Sequence, residues 1–427
     1  MQIVWADAEI EEDSYTFRDF GVEVHRSPFH VKSMPDAIKV NLQISLEEIY
    51  LTKSYSIPVV LDAYVLLQKV YYKRSDLIPW FSLANLLVLD THEAELILGY
   101  KIASHQSMQE AAHELLSLGN QSILLLGEQL HEAWCHDYWT NGVTSFWLTQ
   151  SRISYTKYSG LRSILSAAIT ASLALGYSLE DAIIIARMYT HQVIRRTHTG
   201  FDFGGFPEDE VDLPYLASMP LYEKPQPFKL CHHLGLYPVV DSSVWVELLL
   251  NVGVKTIQLR IKEQTETLEK EVQRSIALAK KHRATLYIND YWELALKYEA
   301  DGVHLGQSDL DAADINAIRK KGLLLGVSTH CYYEVARAHA INPSYIAIGP
   351  IYPTTSKKMP FLAQGIERLK RWQRTLNYPL VAIGGINIER MSDVVATGVS
   401  GVALISAITK AHNPRRATEQ FLSILQI

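Results

Sequence analysis

Apolar residues run along this chain in two rhythms. Between residues 36 and 199, "IPVVLDAYV" and "QSILLLG" are short apolar runs of the kind that form buried strands. "SMQEAAHELLSLG" repeats its apolar positions at helical spacing, with Ser107 placed to cap the helix and Gly119 to end it. "ILSAAITASLALG" predicts another helix, whose small residues suit close packing. "SLEDAIIIARMYTHQVIRR" predicts a long one with Ser178 as cap. Strands and helices in alternation mean an α/β layout.

From about Thr199 the rhythm lapses. "GFDFGGFPEDEVDLPYLASMPLYEKPQP" carries prolines, glycines and acids without a sustained period. It predicts a linker over 200–227 between a domain at 1–199 and another at 228–427. A long ordered loop capping one domain is the alternative.

After the lapse the beat is strict. Strands are predicted at "LYPVV" (236), "TIQLR" (256), "TLYIND" (285), "GVHLG" (302), "LLLGVST" (323), "YIAIGPI" (345), "PLVAIGG" (379) and "GVALISA" (401). Helical stretches such as "TETLEKEVQRSIALAKKH" and "YYEVARAHAI" separate them. Apolar strands joined by helices form a parallel sheet buried on both faces. Eight units in about 200 residues suggest a closed (β/α)8 TIM barrel, at the small end of that fold's range.

Composition changes this picture little. The chain has 427 residues, 48% hydrophobic and 20% charged, ordinary for a multidomain globular protein. Its net charge of -6 argues against a nucleic-acid partner but allows a local cationic pocket. The three cysteines, Cys135, Cys231 and Cys331, form no CxxC pair, so a reducing, cytoplasmic setting is expected. "MQIVWADAEIEEDSYTF" lacks the basic and apolar regions of a signal peptide, and no apolar stretch predicts a membrane span. A homo-oligomer stays open.

Reactive residues of such a barrel gather at the C-terminal ends of its strands. There the sequence puts Gln258, Arg260 and Lys262, then Asn289 and Asp290, Asp309, Ser328 and Thr329. Thr354, Ser356 and Lys357, Gly384 and Gly385, and Ile405 and Ser406 complete the rim. Arg260, Lys262 and Lys357 would repel one another unless a multiply charged anion lay between them. Asp290 and Asp309, without a thiol or clustered histidine, suit Mg2+ completed by water and phosphate oxygens. Cations and Mg2+ together predict a diphosphate site. The double glycine and the 405–406 turn predict a monophosphate site after the last two strands. His304 is expected to be structural or orienting, and the "CHH" at 231–233 a linker feature. Departure of a diphosphate needs no enzyme nucleophile, only charge neutralisation and positioning.

"QLRIK", "YIND", "GVHLGQSDL", "GVSTH", "GPIYPTTSKKMP", "VAIGGI" and "ALISAIT" closely resemble the motifs of the thiamine-phosphate synthase family, from about Leu236 to Ile408. That family joins a hydroxymethylpyrimidine diphosphate to a thiazole phosphate and releases diphosphate. The resemblance implies that Gln258, Leu259, Arg260, Ile261 and Lys262, with Asn289, Ser328 and Lys357, line the pyrimidine diphosphate site. It implies catalytic roles for Arg260, Lys262, Lys357 and Ser328, and Mg2+ held by Asp290 and Asp309. Thr354, Thr355 and Ser356, with Gly385, Ile405 and Ser406, would hold the thiazole phosphate. Ser356 stands where the family often has a second threonine.

Residues 36–200 resemble the hydroxymethylpyrimidine (phosphate) kinase family, which has a ribokinase-like fold. "VVLDAYV", "VLDTHEAELILG" and "LRSILSAAITASLALGYSLEDAIIIA" carry the likeness. The departures are several. The family's opening "AGSD…GGAG" is absent, and its phosphate-cradling "GTGC" reads Gly160-Leu161-Arg162-Ser163. Its Lys-Gly-Gly reads Leu126-Gly127-Glu128, and Asp90 replaces an asparagine. Arg162 at a glycine position is expected to strain the backbone and crowd a phosphate. These departures predict a degenerate kinase kept for folding, oligomer contacts or ligand sensing. A bifunctional kinase–synthase and a non-catalytic sensor of thiamine intermediates are the other readings.

Overall fold

The computed structural model describes residues 2–6, 10–26, 34–41, 56–63, 74–127, 130–153, 160–196, 203–231, 233–263, 266–354 and 361–425. The chain divides into two compact units: 1–207 with 211–224, and 208–210 with 225–427.

The first unit holds a nine-stranded sheet: β1 (Ile3–Ala6), β2 (Glu23–Arg26), β3 (Ala37–Val40), β4 (Val59–Asp62), β5 (Leu86–Asp90), β6 (Ile123–Leu126), β7 (Trp134–Thr140), β8 (Ser145–Ser151) and β9 (Tyr215–Ala217). Its order is β2-β1-β3-β4-β5-β6-β7-β8-β9. Neighbours from β2 to β6 run parallel, and β7, β8 and β9 join antiparallel. The central parallel strands β3, β4 and β6 are buried throughout their length, as a sheet covered on both faces requires, whereas the edge strand β2 is not.

Two sequence expectations are corrected here. The helix expected to start at Ser107 spans His105–Leu116, and its cap is Ser104. Ser107 is the third residue of a capping box, in which each serine side chain accepts from the other's backbone N–H. The segment expected to be a linker, 200–227, contains β9, paired with β8 from Trp147↔Ala217 to Thr149↔Tyr215. An open antiparallel edge on β8 was available, and three residues too few to show a period filled it. Ser178 does cap the helix Leu179–Arg196, accepting from Asp181 N at 3.2 Å.

In the second unit the eight expected strands all form. They are β10 (Gly235–Val240), β11 (Thr256–Leu259), β12 (Thr285–Asn289), β13 (Gly302–Leu305), β14 (Leu324–Thr329), β15 (Tyr345–Ile348), β16 (Leu380–Ile383) and β17 (Gly401–Leu404). They close into a parallel barrel through β10 and β17, in register Gly235↔Gly401. Tyr237, Tyr287 and Tyr345 fill its interior beside Val239, Ala347, Val381 and Ala403. Room for Tyr345 comes from the neighbouring strand. Gly326 lies opposite it, and a Cβ there would stand 2.0 Å from the ring's Cζ. Only glycine tolerates that approach.

Candidate active site

The C-terminal mouth of the barrel opens on a cavity of about 430 Å3. Gln258, Arg260, Asn289, Asp290, Asp309, Ser328, Thr354 and Ile405, all expected at the site, line it. They come from six strand ends and the loops behind them, because parallel strands in a closed barrel present all their C-terminal ends to one mouth. A second cavity of about 420 Å3 adjoins it, lined by Thr354, Gly384, Gly385, Ile405, Ser406 and Lys410 among others.

Not every expected residue converges. Leu259 is buried, Ile261 half-buried and Lys262 exposed, and none of the three is among the described lining. Side chains alternate along a strand, so Gln258 and Arg260 face inward while Leu259 turns outward. Thr329 is buried and donates to the Ala347 carbonyl, so it too is structural. Thr355, Ser356 and Lys357 lie outside the described residues.

The Asp290 and Asp309 carboxyl groups face the same cavity close enough to influence one another, beside Arg260. Burial, and then the Asp309 charge, push the Asp290 carboxyl up to about 6 against the opposing pull of Arg260. Asp290 turns the chain at φ 63°, a left-handed conformation that Asp adopts more readily than most residues. Its N–H donates to the His304 carbonyl at 3.0 Å. Gly306 N–H donates to the Asp309 carboxylate at 3.2 Å. Among the described residues no group of three or more His, Cys, Asp or Glu could hold a metal ion. The two carboxylates are hard oxygen donors but an incomplete ligand set, so a cation such as Mg2+ would have to take its remaining ligands from water and substrate oxygens.

Gly384 and Gly385 stand at φ 101° and 66°. A Cβ at Gly385 would lie 2.6 Å from the Pro353 carbonyl oxygen, so both the conformation and the space require glycine. Arg390 donates to the Gly385 carbonyl at 2.6 Å and covers the Tyr352 ring at 4.6 Å, which holds the turn.

Sequence reasoning missed Tyr237, Gln307, Glu334 and Phe361, all of which line the main cavity. Glu334 accepts from the His330 backbone N–H at 2.7 Å and its ring Nδ1 lies 2.6 Å away, while Phe361 stacks on that ring at 4.5 Å. An aromatic in a strand and an acid in a helix look like ordinary core and surface residues, so no local signal marks them.

In the first unit, Gly160 precedes the helix Leu161–Ala174 and Arg162 lies in its first turn. Arg162 is not among the left-handed residues, so the expected backbone strain is absent. The helix needs ordinary φ there, and a side chain is accommodated. The expected crowding has a concrete form. The guanidinium lies 3.0 Å from Asp62, 3.6 Å from Asp90 and in an ion pair with Glu93. Burial, outweighing Arg162, pushes the Glu93 carboxyl up to about 7. Ser163 joins a second closed set: Lys39 Nζ is 2.6 Å from Asp13 and 2.7 Å from Ser163 Oγ, and Ser163 Oγ donates to Asp13 at 2.8 Å. Glu128 lies outside the described residues.

Comparison with known proteins divides the chain in the same way. A thiamine monophosphate synthase family profile matches residues 236–408. A phosphomethylpyrimidine kinase profile matches 50–206. The thiamine-phosphate synthase of Photorhabdus laumondii is 57% identical over 197 residues, 46% of this chain and 91% of that protein. The Proteus mirabilis enzyme of the same name is 55% identical over 195 residues, 45% of this chain and 91% of its own. Among solved structures, thiamine phosphate pyrophosphorylase from Pyrococcus furiosus is 30% identical with a TM-score of 0.42, covering 46% of this chain and 96% of its own.

Proposed function

This chain belongs to the thiamine-phosphate synthase family, and from that membership we propose how its barrel joins a pyrimidine diphosphate to a thiazole phosphate. The barrel is a transferase that forms thiamine phosphate and releases diphosphate. The observation that carries the reading is the meeting of Arg260, Asp290 and Asp309 in one cavity that adjoins the glycine-built turn at 384–385.

The mechanism is dissociative. The bond between the pyrimidine's exocyclic methylene and the diphosphate oxygen breaks, and the electron-rich aminopyrimidine supports the cation left behind. The thiazole nitrogen then attacks that carbon. Arg260, with Lys357, takes up the charge growing on the leaving group, the largest contribution available to a site without a nucleophile. Asp290 and Asp309 would hold Mg2+, which when bound supplies Lewis-acid neutralisation of the diphosphate. Gln258, Asn289 and Ser328 orient the pyrimidine. Thr354, Gly385, Ile405 and Ser406, with Thr355 and Ser356, hold the thiazole phosphate.

The first unit is a degenerate relative of phosphomethylpyrimidine kinase. Its support is the Arg162 guanidinium, already neutralised by Asp62, Asp90 and Glu93, in the stretch that resembles the family's phosphate cradle. A bifunctional kinase–synthase is the second reading, favoured by the kinase profile itself. One assay of the full chain separates them. Product from pyrimidine diphosphate and thiazole phosphate without ATP supports the synthase alone. Product from pyrimidine monophosphate only when ATP is added establishes the second activity. No product in either case overturns both.

A further inference from the structure

Beneath the main cavity, five side chains form one continuous hydrogen-bonded line. Gln258 Nε2 donates to Tyr237 Oη at 3.1 Å. Tyr237 and Tyr345 hydroxyls are 2.7 Å apart, Tyr345 Oη is 2.7 Å from His304 Nδ1, and His304 Nε2 is 2.8 Å from Ser328 Oγ. Four of the five line the cavity, whereas Tyr345 is wholly buried and does not.

The strand register builds this line. His304, Gly326 and Tyr345 occupy one row across β13, β14 and β15. The missing side chain at Gly326 lets the Tyr345 ring cross β14 and stack on the imidazole, with centroids 5.7 Å apart.

A hydroxyl has one hydrogen, so the first donor sets the sense of the whole line. Tyr237 accepts from the Gln258 amide and gives its own hydrogen to Tyr345. Tyr345 then gives its hydrogen to His304 Nδ1. That nitrogen is an acceptor, so the imidazole is neutral and carries its hydrogen on Nε2, which it donates to Ser328. In the reverse sense Tyr237 would accept twice, from Gln258 and from Tyr345, and its own hydrogen would have no acceptor within the line.

We infer that Tyr345 is a positioning residue, which fixes the Nε2–H tautomer of His304 and thereby leaves the Ser328 hydroxyl free to donate into the cavity. Its target is an acceptor atom of the pyrimidine substrate, an assignment that rests on the synthase reading. The hydrogen pattern of the line does not.

The test is a 1H–15N long-range correlation spectrum of the full chain labelled at histidine nitrogens, with His304→Gln used only to assign the resonance. The wild-type chain is expected to show Nδ1 unprotonated and Nε2 protonated. In Tyr345→Phe the Nδ1 acceptor loses its donor, and the tautomers mix. Tyr237→Phe leaves the Tyr345 hydrogen in place and should retain the wild-type pattern. In steady-state kinetics, Tyr345→Phe should raise KM for the pyrimidine diphosphate about tenfold, the worth of one hydrogen bond, and leave KM for the thiazole phosphate unchanged. A wild-type His304 protonated at Nδ1 overturns the inference without any variant. So does a Tyr345→Phe spectrum identical to wild type. An active wild type with either result condemns the inference alone, whereas a wild type that makes no thiamine phosphate condemns the synthase reading.

Discussion

The Arg162 guanidinium rests 3.0 Å from the Asp62 carboxylate, a group with almost no exposure to solvent. On the proposed reading of the first unit, this pair occupies the stretch that resembles the kinase family's phosphate cradle. Removing the arginine takes the cation away from Glu93 and from Asp62, which keeps its hydrogen bond from Ser166 Oγ at 2.7 Å, and deleting one partner of a buried pair costs about 3–5 kcal/mol. Arg162→Ala should therefore lower the urea midpoint of the first unfolding transition without creating kinase activity. A gain of phosphorylation on pyrimidine phosphate with ATP would show that the arginine alone silences the site.

Lys39 and Asp13, both fully buried, meet at 2.6 Å. Burial raises the Asp13 carboxyl, and the lysine opposes it. Lys39→Met alone should destabilise the chain by about 3–5 kcal/mol, while Lys39→Met with Asp13→Leu should recover most of that loss. Equal destabilisation in the single and double variants, read from denaturant curves, would contradict an electrostatic origin.

Acid should weaken the first unit. His136 Nε2 donates to the Leu221 carbonyl at 2.7 Å, so its Nδ1 accepts from His105 Nε2 at 2.9 Å. His105 Nδ1 in turn accepts from the Tyr222 hydroxyl at 3.0 Å. Both rings are thus neutral, and burial is the first cause that lowers the pKa of each, opposed at His136 by its hydrogen bond to the Leu221 carbonyl. The unfolded chain binds protons below about pH 6.5 where the folded chain does not, so stability is full above that pH and falls as pH drops. Melting temperature should decline from about pH 6.5 to 5, and His136→Asn should reduce the slope. A flat profile in the wild type would rule the relay out as a source of acid sensitivity.

Asp309→Asn should lower kcat by about 10²–10³ at saturating substrates, the scale of losing one well-placed electrostatic group. Removing the neighbouring charge also lowers the Asp290 pKa, since Asp309 is the second cause of its rise. Chelation should abolish turnover, and added Mg2+ should restore it. Unchanged kcat in the variant would remove Asp309 from the proposed metal site.

The eight barrel strands were legible because a strand buried on both faces must be apolar along its length, from "TIQLR" to "GVALISA". The rim residues Gln258, Asp290 and Ser328 could be found by position alone, once strand ends were known to share a mouth. The antiparallel strands β7 to β9 went unread. Trp134, Tyr138 and Trp147 are buried on an end of the sheet where polar residues such as Asp137 and Thr149 are buried as well, so no period emerges.

The sequence by itself determined the kind and order of the barrel's strands, because burial acts on each residue through its own side chain and repeats with the backbone's period. It also placed Gln258, Arg260, Asn289, Asp290, Asp309 and Ser328 at the barrel mouth. Only the tertiary structure decided which groups neutralise one another. Arg162 meets Asp62 a hundred residues away, and Tyr345 reaches His304 across a glycine on the strand between them. Charge pairing and hydrogen-bond direction depend on distances of a few ångströms between remote segments, which no local pattern records.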